Sequence, residues 1–76
     1  MSRDDRSNAN HPELTERERL MLESIWDGCT ISAVAQRMNI DYRTAESESY
    51  RLRHKFGVSN MVSLVRAALR YGMLRV

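Results

Sequence analysis

From residue 13 onward, apolar positions recur at helical spacing and fall into four groups separated by glycine or asparagine. Residues 1–12, MSRDDRSNANHP, are polar by contrast and end in a proline. Such a segment buries too little apolar surface to offset the entropy that it would lose on ordering. The pattern therefore predicts a disordered tail over residues 1–12 and one small all-α domain over residues 13–76.

The first group predicts a helix over about residues 16–27. Thr15 is followed three residues later by Glu18, so that each side chain can accept a hydrogen bond from the other residue's free backbone N–H. Apolar residues then fall on one face until Gly28, which supplies the left-handed conformation at which helices commonly stop. The helix therefore has recognisable start and stop signals.

The second group predicts a helix of about two turns. Thr30 is its capping residue, and Val34, Ala35 and Met38 form a short apolar stripe. Asn39 follows, and asparagine tolerates the left-handed conformation better than most residues. A tight turn is therefore expected between this helix and the next.

The third group predicts a longer helix that begins after Asp41 and ends at Gly57. Ala45, Ser49, Leu52 and Phe56 share its apolar face. A short helix, a turn and a longer helix with exposed arginines form a helix-turn-helix pattern, whose second helix lies in the major groove of DNA. Generic four-helix bundles also show this pattern, so the pattern by itself leaves both interpretations open.

The fourth group predicts a helix over about residues 61–71, capped by Ser59-Asn60. Apolar residues cover most of its circumference, which is more than one packing face requires. The spare stripe predicts a partner. The residues that we expect to contact this partner are Met61, Val62, Val65 and Leu69.

Composition narrows the class of protein. The 76 residues carry a formal charge of +2, a mild basic bias that does not by itself indicate DNA binding. Cys29 is the only cysteine, so no intrachain disulfide can form, and no Cys/His set has zinc-ligand spacing. No apolar stretch approaches the roughly 20 residues that cross a bilayer. We expect a cytoplasmic protein without a cofactor.

The sequence also argues against catalysis. It has no glycine-rich phosphate loop, no metal-ligand set and no nucleophile close to a base. Glu46 and Glu48 are two residues apart on a helix, so they diverge by about 200° and cannot act as a carboxylate pair on one substrate. We therefore expect that the protein is not an enzyme.

Three consecutive blocks, LTERERLMLESIWDG, ISAVAQRMNIDYRTAE and KFGVSNMVSLVRAALRYGML, resemble the DNA-binding domain of LuxR-type (GerE-like) regulators. They keep the family's spacing from about Leu14 to Leu74. The most specific elements are Leu14-Thr15, Arg17-Glu18, Gly28, Val34-Ala35, Met38, Ile40, Thr44, and Lys55-Phe56-Gly57-Val58 followed by Ser59-Asn60.

The resemblance implies a compact four-helix bundle whose third helix enters the major groove and whose fourth helix pairs across a two-fold axis in a dimer. It also implies a bacterial transcription regulator that binds double-stranded DNA as a homodimer, at a site with two-fold symmetry. The family's best-known members attach this domain to a receiver or autoinducer-binding domain. Because this chain has neither, we expect a stand-alone regulator.

Helical geometry places a reading face on the third helix, opposite the stripe that contains Ala45. The residues of this reading face are Arg43, Glu46, Ser47, Tyr50, Arg51 and His54. Arginine and serine can bond to bases or phosphates, and tyrosine can offer its hydroxyl to a phosphate or its ring to a thymine methyl. Thr44 is expected to bond locally or to a phosphate. Thr30 and Ser32 open the second helix, where a phosphate would meet free N–H groups.

Two glutamates depart from the family pattern. Glu46 stands where lysine is common, Glu48 stands where histidine is frequent, and Ile31-Ser32-Ala33 replaces an Asn-Lys-Glu opening. In a first interpretation, Glu46 accepts a hydrogen bond from cytosine N4. In a second, the glutamates form solvated ion pairs such as Arg43–Glu46 and Glu48–Arg51. In a third, the chain no longer binds DNA and instead dimerises through its fourth helix with another regulator, which it blocks.

Overall fold

The computed structural model describes residues 12–74, and four α-helices occur in this range. They are α1 (Glu16–Trp26), α2 (Ile31–Met38), α3 (Tyr42–Phe56) and α4 (Met61–Arg70). No strand occurs within the described range, and the all-α fold is confirmed. The predicted tail lies almost entirely outside the described residues, since only Pro12 of that segment is included.

Each helix begins after a residue whose side chain accepts a hydrogen bond from the backbone N–H three residues later. These capping residues are Thr15, Thr30, Asp41 and Asn60. At α1 the arrangement is reciprocal, because Glu18 Oε1 also accepts from the Thr15 backbone N–H at 2.9 Å. The start signals in the sequence are therefore confirmed at all four helices.

The turn between α2 and α3 is short and closed by backbone hydrogen bonds. Asn39 ends α2 in the left-handed region, with φ 59° and ψ 47°, a conformation that asparagine adopts more readily than most residues. The Ile40 N–H then donates to the Ala35 carbonyl at 2.9 Å. Asp41 follows immediately as the cap of α3. The chain thus passes from one helix to the next with two residues between Met38 and the cap, which fixes the direction of α3.

A single apolar core holds the helices together. Its buried members come from all four helices and from the segment that follows α4: Met21, Leu22, Val34, Leu52, Leu64, Ala68 and Leu74. The apolar face predicted for α3 is the buried one, since Ala45, Ser49 and Leu52 are each at most 1% exposed and Phe56 is partly buried against the core. The opposite side of α3 consequently faces away from the core.

The hydroxyl groups of two buried serines make the same kinds of hydrogen bond. Ser24 Oγ donates to the Leu20 carbonyl at 2.9 Å and accepts from an Arg37 guanidinium N–H at 3.3 Å. Ser49 Oγ donates to the Glu46 carbonyl at 3.0 Å and accepts from Arg53 at 3.3 Å. A buried hydroxyl without partners is costly, and these bonds remove that cost where helices pack closely.

Candidate nucleic-acid interface

The reading face of α3 is open to solvent. Its six residues, Arg43, Glu46, Ser47, Tyr50, Arg51 and His54, are all exposed. Tyr50 is the most exposed large hydrophobic residue of the helix, at 61% of its full area. A large ring that remains this exposed beside cationic side chains is available for contact with a partner. The structure therefore brings the six sequence-predicted residues onto one accessible surface.

Tyr42 extends this surface and was not anticipated from the sequence. It is the first residue of α3 and is 51% exposed. Its position about 40° to one side of Glu46 follows from helical geometry, counting 100° per residue from the cap. By the same geometry Tyr42 also lies about 20° from the buried Ser49, so the sequence pattern assigns it to the apolar side of the helix and does not mark it as exposed.

The Tyr50 ring has neighbours on its own helix. It lies 6.3 Å from the His54 ring, centroid to centroid, and the Arg53 guanidinium carbon lies 5.8 Å from its centroid. Arg53 also donates to Ser49 Oγ, which anchors the guanidinium at the buried side of the helix. A cation beside an aromatic face stabilises the ring's position. Tyr50 is thus held in place while most of its surface stays accessible.

Glu48 does not belong to this surface, because it turns toward α1. Its carboxylate accepts from Arg17 Nε at 3.0 and 3.1 Å and lies 2.9 Å from Arg17 Nη2, a bidentate pair. The hydrogen bond and the negative charge of Glu48 raise the pKa of the Arg17 guanidinium. The interpretation of Glu48 as an ion-pair residue is therefore confirmed, but the partner named for it, Arg51, is wrong.

Lys55 makes a second link from α3 to the start of α1. Its ammonium donates to Glu18 Oε1 at 2.8 Å and to the Glu13 carbonyl at 3.0 Å. The hydrogen bond from Lys55 is the main cause of a lowered pKa of the Glu18 carboxyl, and bonds from Thr15 add to it. Lys55 and Glu48 are seven residues apart, so they share one edge of α3. That edge is neutralised by α1.

Glu46 has different surroundings. Among residues 12–74, no cation lies within ion-pair distance of its carboxylate, so the suggested Arg43–Glu46 pair is absent. Arg43 and Arg51 likewise make no ion pair within the described part of the chain. The reading face thus presents two unneutralised guanidinium groups and one unneutralised carboxylate.

The remaining candidate contacts lie at helix starts. Thr30 Oγ1 accepts from the Ala33 N–H at 3.2 Å, and Ser32 is exposed in the first turn of α2. Thr44 is half-buried and its N–H donates to Asp41 at 2.8 Å. Hydrogen bonds from Thr44, its side chain first and its backbone second, lower the pKa of the Asp41 carboxyl. Thr44 therefore has the local bond that the sequence suggested.

Of the four residues expected in a dimer interface, Val62 is the most exposed, at 68%. Met61, Val65 and Leu69 are half-buried and pack against the core. Met61, Val62 and Val65 also line an apolar cleft of about 560 Å³ between α4 and the α1–α2 connection. Its other lining residues are Ile25, Trp26, Gly28, Cys29, Thr30, Ile31 and Arg66. Leu69 does not line this cleft.

Two general features of the described range bear on its chemistry. No helix within residues 12–74 is long and apolar enough to cross a membrane. In the same range, no three or more His, Cys, Asp or Glu side chains are grouped so that they could hold a metal ion.

Comparison with known proteins gives the domain its family. Residues 12–68 match the family described as "GerE: Bacterial regulatory proteins, luxR family", so the match includes α1, α2, α3 and most of α4. The chain is also similar to the methanol utilization control regulatory protein MoxX of Paracoccus denitrificans, with 35% identity over 66 residues. That match covers 87% of this chain and 30% of the relative, so the chain spans about a third of that protein's length. With its helix-turn-helix and its family match, the chain belongs to the luxR family of bacterial regulatory proteins.

Proposed function

We propose that this protein is a transcription regulator that binds double-stranded DNA as a homodimer, with α3 in the major groove. The observation that carries the proposal is the contrast between the two sides of α3. One side is at most 1% exposed at Ala45, Ser49 and Leu52, while the other presents Arg43, Tyr50 and Arg51 to solvent. An exposed helix face with unneutralised guanidinium groups suits binding to phosphates and guanine edges.

The distribution of ion pairs limits the strength of non-specific binding. Arg17 and Lys55 are occupied by Glu48 and Glu18, which leaves Arg43 and Arg51 as the unpaired guanidinium groups of the reading face. Each phosphate contact makes the slope of log affinity against log salt concentration more negative by about 0.9. A dimer with about four such contacts from α3 would have a contribution of about −3.6 from this helix. A monomer would have half of that and would bind weakly.

We propose that the second subunit is supplied through α4. Val62 is exposed on this helix, and together with Met61 and Val65 it lines the apolar cleft. Burying this surface in a symmetric dimer would remove apolar area from water. The two copies of α3 would then reach half-sites about one helical turn of DNA apart, which predicts an inverted-repeat operator. Such a regulator would act in the cytoplasm, where bacterial DNA is located.

The proposal is tested by selecting sites from random duplex DNA with the purified protein and measuring affinity across a salt series. We expect an enriched two-fold-symmetric site. Arg43→Ala should weaken binding to that site, with a salt slope reduced by about one unit per subunit if Arg43 contacts a phosphate. If Arg43 contacts a base, the variant should instead lose preference at one position.

The matched control is Arg19→Ala, which removes the same charge from α1. Arg19 is exposed, makes no ion pair within the described residues, and follows Arg17 by two positions, so it points about 200° away from the α3 side. Arg19→Ala should leave the selected site unchanged. Wild-type affinity in Arg43→Ala would show that the reading face is not used.

A second candidate function is an interaction module that dimerises through α4 with another regulator and blocks it. The unneutralised Glu46 carboxylate and the apolar cleft beside Val62 favour this candidate. The same DNA-selection experiment separates the two functions. A folded protein that binds no duplex DNA at low salt supports the blocking module, and Val62→Asp should then abolish its association with the blocked regulator.

A further inference from the structure

The two glutamates of α3 have separate roles in the structure. The Glu48 carboxylate is neutralised by a bidentate pair with Arg17, and its side chain is 23% exposed. The Glu46 carboxylate is exposed and, within residues 12–74, has no ion pair or side-chain hydrogen bond. Because the two residues diverge by about 200°, only Glu46 points to the side where the reading face lies. Only one of the two negative charges would therefore meet DNA.

The position of Glu46 on the helix is that of a base-contacting residue. It is the fifth residue of α3, in the N-terminal half that contacts base edges in helix-turn-helix proteins. Arg43 is three residues before it and Tyr50 four residues after it, so all three are neighbours on one surface. Its own backbone carbonyl accepts from the buried Ser49 hydroxyl at 3.0 Å, which fixes this turn of the helix. The carboxylate thus extends from a rigid site.

An ionised carboxylate accepts hydrogen bonds but donates none. In the major groove, guanine presents two acceptors and thymine presents one, so both bases repel it. Adenine presents an amino donor beside the N7 acceptor, whereas cytosine presents the N4 amino group without an acceptor on the same base. Cytosine is consequently the base that best satisfies a glutamate in this position.

Resting on the proposed function, we infer that Glu46 determines sequence specificity by accepting a hydrogen bond from a cytosine N4 amino group in each half-site. Glu46 also weakens binding to DNA sites that lack this cytosine. Where the facing base is guanine or thymine, the carboxylate loses its water and gains no donor, while the surrounding phosphates repel it. A residue that looks unfavourable for DNA binding therefore suppresses binding to incorrect sites.

The experiment compares the sites selected from random duplex DNA by the wild type, Glu46→Gln and Glu48→Gln. Glutamine pairs with adenine N6 and N7, so Glu46→Gln should change one position of each half-site from cytosine to adenine. A good bidentate base contact discriminates by about 5- to 140-fold, and the single hydrogen bond to cytosine should give a preference toward the lower end of that range. Both variants remove one negative charge, so a change of the preferred base that occurs in Glu46→Gln alone cannot be an effect of net charge.

Glu48→Gln is the matched control, because its side chain bonds to Arg17 and not to the reading face. It should select the same half-site as the wild type. Circular dichroism should show that Glu46→Gln is folded, since the exchanged side chain is exposed.

The outcomes distinguish the two proposals. A symmetric wild-type site that Glu46→Gln selects unchanged at every position would overturn the inference about Glu46 and leave the proposed function intact. The same holds if Glu48→Gln changes the preferred base as Glu46→Gln does, because the effect would then be one of charge. A folded wild type that selects no site overturns both proposals.

Discussion

Leu52→Ala and Tyr50→Ala, two residues apart on α3, should separate stability from DNA recognition. Leu52 is 0% exposed and belongs to the core, whereas Tyr50 is 61% exposed. Replacing a buried leucine by alanine costs about 2–5 kcal/mol from lost burial and the resulting cavity. At about 0.05–0.15 kcal/mol per residue, a domain of this length has about 4–11 kcal/mol in total. Leu52→Ala should therefore remove a large part of the free energy of unfolding.

Tyr50→Ala should cost less than about 1 kcal/mol, because it removes only the ring contacts with His54 and Arg53 on an exposed surface. Each kcal/mol lowers the Tm of a domain of this size by about 4–8 °C. We therefore expect Leu52→Ala to melt about 8–40 °C below the wild type, and Tyr50→Ala to melt within about 8 °C of it.

Thermal unfolding by circular dichroism measures the first effect, and binding to the selected DNA site at a temperature where both variants are folded measures the second. Tyr50→Ala should lose specific binding, and Leu52→Ala should retain it. Two results would refute this reasoning. One is a Tyr50→Ala variant that melts as low as Leu52→Ala, and the other is a stable Tyr50→Ala variant with wild-type affinity.

Three further predictions concern other parts of the domain. Asn60→Ala removes the side chain that caps α4 and should lower the free energy of unfolding by about 1 kcal/mol, measured by urea titration. Glu18 has a lowered pKa when folded, so its contribution to stability is complete above the usual value of 4.5 and is lost as the pH falls through the folded value. In urea titrations across pH, Glu18→Gln should therefore lose less stability than the wild type as the pH falls below 4.5. An equal loss in both proteins would contradict the role given to Glu18. Val62→Asp should leave the Tm close to that of the wild type but should weaken binding to a full operator more than to a half-site, measured by titration of both duplexes.

Local signals predicted the helices because the interactions that start and stop a helix are local. Thr15, Thr30, Asp41 and Asn60 each accept from the backbone three residues later, a distance that the sequence displays directly. The buried side of α3 was also predictable, because helical geometry alone places Ala45, Ser49 and Leu52 together. These parts of the fold required no knowledge of how the helices pack.

Contacts between helices were not predictable in the same way. Glu48 has Arg51 as a neighbour three residues away, and a helical wheel selects that pair. In the structure the carboxylate bonds instead to Arg17, which is 31 residues away in sequence and reaches it only through the packing of α1 against α3. The Glu18–Lys55 bond spans 37 residues and has the same origin.

The buried side of α4 was also not predictable from the sequence. With apolar residues on most sides, the sequence indicates surplus apolar surface but does not show which stripe faces the core. In the structure Leu64 and Ala68 are buried, Leu69 packs against the core, and Val62 remains exposed. The exposed part is consequently narrower than the four residues expected in a dimer interface.

The bonds of Lys55 give the domain a mechanical property. One ammonium group joins the last turn of α3 to the Glu13 carbonyl at 3.0 Å and to the Glu18 carboxylate at 2.8 Å. Tension applied to the chain ahead of Glu13 would therefore reach the first turn of α1 and the last turn of α3 together. The C-terminal end of α3 and the polypeptide that leads into α1 are therefore held by the same ammonium group.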